Sequence, residues 1–538
     1  MVLKANERKI CRKAQHKGHR LFRKETTLMI RKQKNDLKLK KRRDTSSLKN
    51  ISRVSDFKAV LLSTNPTEQD AIAAMRDIRQ LSSDGNDLHI NEIVNAGLIF
   101  LLVQILNCSV YQNSNLIYET AWALSNIAAT DYATHVANAG AIKPLVRLLL
   151  HTNAKVREQS AWCLGNIAGQ GHNLRDQILN ESILQQSLLA NLVHPNNMSL
   201  LGTIVFTISN LCKGNPSPFT TLTNDFVYPL VALLDKPITE EITMDVLWAI
   251  SYLSNGDGQQ IGFVIASGVL SKLIKFIANK FKCKMPIIQI LGNLASGSDS
   301  QTQVVLDSGI LNHLAGLLSS KSTGVRKYSS LLAANIACGN HEQITTLVER
   351  RRILRQLIVI ATHDRWDVRE EALWTLAHIC TSGTRAHILS LVRAKGFEPL
   401  IGVLALENSN IALLVIVLDA IKNIFEADGQ HLCLFEQYKG IDYLEELQKH
   451  PSGIVFDRVV YLIENFYGVE EVGVEEVGVE EGENLAPEQN ASCHFSFGFA
   501  ERAHLSPKNL FTNNQKNEFP KEQSSFFGRI STNNHFRR

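Results

Sequence analysis

Residues 119–128 read ETAWALSNIA and residues 158–168 read EQSAWCLGNIA. In each, a Trp and an Asn stand four residues apart, which places both on one face of a helix. The same phase continues as GTIVFTISNLC (202–212), MDVLWAISYLS (244–254), IIQILGNLASG (287–297), YSSLLAANIACG (328–339), EEALWTLAHICTSG (370–383) and IVLDAIKNIFEA (416–427). The polar positions of this series are Asn126, Asn166, Asn210, Tyr252, Asn293, Asn335, His378 and Asn423. They recur about every 42 residues, the period of armadillo or HEAT units.

A second signal keeps the same phase. NAGLIFLLVQIL, NAGAIKPLVRLLL, ASGVLSKLIKFIA, DSGILNHLAGLL and RAKGFEPLIGVLA each set a glycine (Gly97, Gly140, Gly268, Gly309, Gly396) between two helical patterns. A glycine there allows one helix to end before the next begins. Between these points apolar residues fall at i, i+3, i+4 and i+7. Each unit reads as a short helix followed by two longer ones, and no unit buries its apolar face without its neighbours. The expected fold is all-α: a right-handed solenoid of about ten three-helix repeats over residues 56–467. AIAAMRDIRQLSS, near residue 75, has the helix pattern of a first repeat without a ladder Asn.

Charge divides the chain differently. Residues 1–53 hold 19 Lys and Arg against 4 Asp and Glu, so the overall +5 conceals an arm of +15 and a remainder of −10. A basic arm on an acidic body predicts partners of opposite sign, and allows the arm to bind its own body. The basic N-terminus has no apolar core followed by small residues, so it does not read as a secretory signal. No run of about 18 uncharged apolar residues appears, which argues against membrane insertion. Nine cysteines without CxxC spacing suit reduced thiols better than disulfides or a metal. Walker, zincin, nucleophile-elbow and dinucleotide-binding glycine motifs are missing, so we expect no enzyme, cofactor or metal site.

Stacked repeats turn the Trp/Asn pairs into two parallel rows. Asn offers a donor and an acceptor to the unpaired backbone of an extended peptide. The aromatic rings form slots for aliphatic stems and attract Lys or Arg heads. Trp122, Asn126, Trp162, Asn166, Phe206, Asn210 and Trp248 therefore make a candidate groove for basic peptides. Packing explains a repeated Trp; a repeated Asn needs another reason.

The chain resembles the importin alpha (karyopherin alpha) family, armadillo proteins that carry cargo with basic nuclear localisation signals (NLS). AWCLGNIAGQG, WAISYLSNGDGQQI, IIQILGNLASGSDSQTQ, LDAIKNIFEA, GIDYLEELQKH and YLIENFYG carry the resemblance, which extends from the arm to about Tyr467. It implies a major groove at the residues just named together with Asp245 and Gln170. Gln170 stands where the family has an acid that anchors lysine. A neutral amide makes bonds of about 1 kcal/mol against about 1.5–3 for charge-assisted ones, so lysine preference should fall roughly tenfold. Phe206 stands in place of a family Trp. The implied minor groove keeps Asn293, Asp299, Asn335, Glu371 and Trp374, while Leu331, Tyr328, His378 and Gln289 replace a Trp, Glu, Asn and Arg.

In the arm, IRKQKNDLKLKKRRD is similar to the family's importin-beta-binding segment, with Arg31, Lys32, Lys34, Lys40, Lys41, Arg42 and Arg43 at its basic positions. The resemblance implies importin beta as partner, autoinhibition by residues 1–55, and shuttling between cytoplasm and nucleus with a CAS-like export receptor for recycling. Direct nucleic-acid binding is not expected, although a basic run without the ladder would read as a nucleic-acid tail. Residues 468–482 read as an acidic low-complexity linker and 483–538 as a disordered tail. The alternative is a diverged armadillo scaffold with reduced or lost cargo import.

Overall fold

The computed structural model describes residues 54–62, 67–83, 87–107, 113–193, 197–214, 220–279, 281–406 and 410–468. The arm positions from Arg31 to Arg43, the acidic run 469–482 and the tail lie outside them. The described residues contain helices and no strand.

The helices fall into ten repeats. The first comprises α1 (Val54–Leu62) and α2 (Glu68–Ser83), the second α3 (Asp87–Asn95), α4 (Leu98–Asn107) and α5 (Ser114–Ala128). The third comprises α6 (Ala133–Asn138), α7 (Ile142–Leu148) and α8 (Ala154–Gln170); the fourth, α9 (His172–Leu179), α10 (Leu184–Val193) and α11 (Met198–Leu211). The fifth is described by α12 (Thr220–Leu233) and α13 (Glu240–Leu253). The sixth follows with α14 (Gly258–Ala266), α15 (Val269–Ala278) and α16 (Met285–Ala295), the seventh with α17 (Asp299–Asp307), α18 (Leu311–Leu318) and α19 (Thr323–Ala337). The eighth has α20 (His341–Val348), α21 (Arg351–His363) and α22 (Trp366–Ser382); the ninth, α23 (Arg385–Arg393), α24 (Phe397–Leu404) and α25 (Ile411–Ala427). The tenth closes with α26 (His431–Gln437), α27 (Gly440–Leu447) and α28 (Gly453–Phe466).

Each repeat's last helix packs on that of the next, from α2 through α5, α8, α11, α13, α16, α19, α22 and α25 to α28. The apolar stripes merge into one core running from Phe57 to Leu462. The AIAAMRDIRQLSS stretch is α2, with Met75 and Ile78 fully buried, so the first repeat exists without a ladder Asn.

Local chemistry fixes the helix ends. Asn113, Asn153 and Asn197 cap α5, α8 and α11 by accepting backbone N–H bonds. Capping boxes open four first helices: Asp257 with Gln260, Ser298 with Gln301, Asn340 with Gln343, and Thr384 with His387. Two of these glutamines also reach the preceding repeat. Gln301 Nε2 donates to Gly258 O at 2.8 Å, and Gln343 Nε2 to Asp299 O at 2.8 Å.

A Val-Arg step five residues before the ladder aromatic position recurs at Arg157, Arg326 and Arg369. Arg157 Nη1 donates to His151 O and Thr152 O, and Arg326 Nη1 to Ser320 O and Lys321 O. Arg369 Nε donates to Ala361 O. Each guanidinium thus satisfies carbonyls around the junction between a second and a third helix, in the loop for Arg157 and Arg326 and in the last turn for Arg369. Arg326 also forks onto Asp364 (Nε–Oδ2 2.5 Å, Nη2–Oδ1 2.8 Å) and holds that carboxyl below its ordinary range.

One sequence expectation needs correction. Gly97, Gly140, Gly268 and Gly309 have left-handed backbones (φ 73°, 86°, 74° and 84°), as a helix stop demands. Gly396 does not: its φ is −79°, and Lys395 takes the left-handed position with φ 66°. Counted back from the following helix, Lys395 is the equivalent of Gly140 and Gly309, each two residues before its first residue. Lys439 (φ 58°) does the same before α27.

A left-handed non-glycine residue is strained by about 1–2 kcal/mol, part of which glycine's extra unfolded-state entropy offsets. Lys395→Gly and Lys439→Gly should each add roughly 0.5–1 kcal/mol in thermal or urea unfolding, and an unchanged or lowered midpoint would contradict this account. The Arg326–Asp364 pair makes an acid-side prediction. Because the folded pKa of Asp364 is lowered, its contribution is complete above the unfolded carboxylate value and disappears as pH falls through the folded one. Asp364→Asn should lower stability by about 1–2 kcal/mol at pH 7, with the gap to the parent chain closing below about pH 4. A gap that stays constant with pH would assign the loss to packing.

Candidate functional site: the Asn and aromatic rows

The ladder asparagines from Asn126 to Asn335 are buried and Asn423 is half-buried, and each has a partner in the preceding repeat. Asn166 Nδ2 donates to Ser125 O at 3.0 Å, Asn210 Nδ2 to Gly165 O at 2.9 Å, and Asn293 Nδ2 to Ser251 O at 2.9 Å. Asn335 Nδ2 donates to Gly292 O at 2.6 Å and Asn423 Nδ2 to Cys380 O at 3.0 Å. Asn126 faces α2, which has no Asn of its own, and donates to Ser83 Oγ at 2.8 Å and to Ser82 Oγ at 3.2 Å. The recurrence of Asn therefore has a reason inside the fold. The carboxamide stitches neighbouring third helices, and the bond fixes which way it points. The amide nitrogen faces the preceding repeat, leaving the oxygen turned away from it.

Where the Asn is missing, a ring takes over. Tyr252 stacks on Trp248 (centroids 6.1 Å apart) and His378 on Trp374 (5.6 Å). Both rings lie one turn past the Trp, so each pair forms within a single helix.

The slots differ from the expectation of open aromatic walls. Phe206 lies against Trp162 with centroids 5.2 Å apart and planes 22° from parallel. That spacing leaves no room for an aliphatic stem between these two rings. Gly165 permits the approach, since a Cβ there would stand 2.9 Å from the Phe206 ring. At the first slot the cation is internal. The Arg79 guanidinium sits 4.3 Å from the Trp122 ring centroid and its Nε bonds Glu119 Oε2 at 2.5 Å. Glu119 is buried, and Arg76 reaches its other oxygen at 3.6 Å. Arg79, Glu119 and Gly165 were not among the residues singled out from sequence. Glu119 lies one turn before Trp122, a position that could have flagged it.

Gln170 is exposed, and its Nε2 donates to Thr130 O at 3.1 Å. Asp245 is half-buried one turn before Trp248. In the second half of the ladder Glu371 and Trp374 are buried together on α22, and Asp299 opens α17. Leu331 and Tyr328 are buried, so the row there is apolar. Among the described residues no group of three or more His, Cys, Asp or Glu side chains could hold a metal.

Residues 130–169 match the armadillo/beta-catenin-like repeat family. The crystal structure of an engineered protein superimposes with a TM-score of 0.68 over 77% of this chain and 99% of its own, at 24% identity, which supports the fold. Importin subunit alpha-1b of Oryza sativa subsp. japonica is 28% identical over 442 residues, covering 79% of this chain and 80% of that one. Importin subunit alpha-4 of Arabidopsis thaliana is 30% identical over 423 residues, covering 75% of this chain and 77% of that one. The chain belongs to the importin alpha family. At this identity it is a diverged member.

If Arg79 occupies the Trp122 slot, relieving it should favour incoming cations. Arg79→Gln, which retains a bond to Glu119, should raise affinity for a lysine-rich peptide by about fivefold, within the range of a cation–π contact. Fluorescence anisotropy of a labelled peptide measures it; equal or weaker binding would show that Arg79 does not compete.

Proposed function

We propose that this protein is a nuclear import adaptor, shuttling between cytoplasm and nucleus. In this reading it binds basic NLS peptides of cargo along its Asn row and connects them to importin beta through residues 1–55. The observation that carries it is the run of buried, identically oriented asparagines within a chain of the importin alpha family. Such carboxamides are pre-organised before any peptide arrives, which reduces the ordering cost of binding. The site would be Trp122, Asn126, Trp162, Asn166, Gln170, Phe206, Asn210, Asp245 and Trp248. Asn293, Asp299, Asn335, Glu371 and Trp374 would form a weaker second one. The basic positions Arg31, Lys32, Lys34 and Lys40 to Arg43 would bind importin beta, or the chain's own groove in its absence. A CAS-like export receptor would recycle the carrier. No step in this cycle needs an enzyme activity or a cofactor.

A second reading is favoured by three contacts: Arg79 on Trp122, Phe206 on Trp162, and the Gln170 amide on Thr130. Each removes an open wall or an acid from the groove, as expected of an armadillo scaffold with reduced cargo import.

Peptide affinity separates the two. With a lysine-rich NLS peptide, deleting residues 1–53 should tighten binding and Gln170→Asp should strengthen it by about tenfold, the difference between a neutral and a charge-assisted bond. Failure of the chain to capture either the peptide or importin beta in pull-down would sink the adaptor reading and leave the scaffold.

A further inference from the structure

The layer of second helices holds a cavity that the ladder does not use. It is an open cleft of about 600 Å³ between α18 and the start of α21, with Ile277 and Lys284 at one side, and no ladder residue lines it. Its floor is apolar, formed by the buried Leu311, Leu317 and Ile353. Its rim is cationic: Lys284, Arg350, Arg351 and Arg352, with His313 beside them. Gly316 opens onto it, since a Cβ there would meet nothing within 4 Å.

Packing does not account for this charge. Three consecutive arginines occupy the start of α21, where the helix dipole is positive, with no acidic residue in the first turn and no side-chain cap. Cations are disfavoured at that end of a helix. Among the described residues none of the four pairs with a carboxylate. Arg350 does donate to Thr346 O at 3.2 Å. Four positive groups, three of them exposed arginines that follow Glu349, thus line one concave, solvent-open surface and favour an anion there.

We propose that this cavity binds a small organic anion carrying two or more phosphate groups. Guanidinium forks match phosphate oxygens bidentately, and adjacent phosphates supply the charge density that three neighbouring arginines balance. The volume lies in the range of small-molecule sites, and the apolar floor suits a ligand with an uncharged ring or carbon body.

The test uses the full chain, with ATP (no magnesium), inorganic tripolyphosphate and an octaglutamate peptide as calorimetric probes. The parent chain should bind ATP more tightly than tripolyphosphate, because only ATP covers the floor, and octaglutamate most weakly. Arg351→Glu with Arg352→Glu should weaken ATP and tripolyphosphate by about tenfold or more, as loss of charge-assisted bonds requires. Gly316→Leu fills the space without changing charge on an exposed helix position. It should weaken ATP by a similar factor while leaving the thermal midpoint and lysine-rich peptide binding unchanged. Phosphate binding that survives both variants would belong elsewhere, such as the basic residues 1–53, and would overturn the proposal. So would tighter binding of octaglutamate than of either phosphate.

Discussion

The structure depends on one repeated hydrogen bond, from an asparagine side-chain nitrogen to a main-chain carbonyl in the third helix of the repeat before it. Several of these carbonyls, Ser251, Gly292 and Cys380 among them, lie in the last turn of their helix, where the i+4 N–H bonds elsewhere. The asparagine uses that spare capacity, so two buried polar groups are satisfied without interrupting either helix. A charged residue in its place would carry a desolvation cost, and an aliphatic one would leave the register to packing alone. Asn166, Asn210, Asn293, Asn335 and Asn423 repeat this solution, and Asn126 does so at Arg79 O (3.3 Å) beside its two serine hydroxyls.

The same side chains compose the proposed groove, so stability and binding are written in one set of atoms. The aromatic row shows the tension between them. Trp162 and Phe206 gain contact area by lying on each other over Gly165, and that closes the space a guest would use. Arg79 gains a ring and a buried carboxylate at once. Such arrangements stabilise the unliganded protein and raise the demand on any peptide that displaces them.

Much of this was legible in the residues. The 42-residue period, the Trp and Asn phase and the glycine stops define ten repeats and the face that carries the rows. Partners were less visible. Periodicity reports which face a side chain occupies and not what it touches, so the donor role of Asn166 and the stacking of Phe206 required coordinates. Lys395 shows another limit: glycine was the expected left-handed residue, and the adjacent Gly396 drew the assignment one position too far. The capping glutamines were readable as D-x-x-Q, S-x-x-Q and N-x-x-Q, but their second bonds to the preceding repeat depend on stacking.

Because every asparagine reaches back by one repeat and no further, cooperativity in this molecule is a chain of nearest-neighbour couplings. The last rung, Asn423, ties α25 to α22, and among the described residues no later repeat covers the exposed Ile454, Phe456 and Tyr461 of α28. Opening should therefore advance inward from the C-terminal end like the fraying of a zipper, with amide exchange slowest in the central third helices. An array built this way can loosen one end while its middle keeps its register.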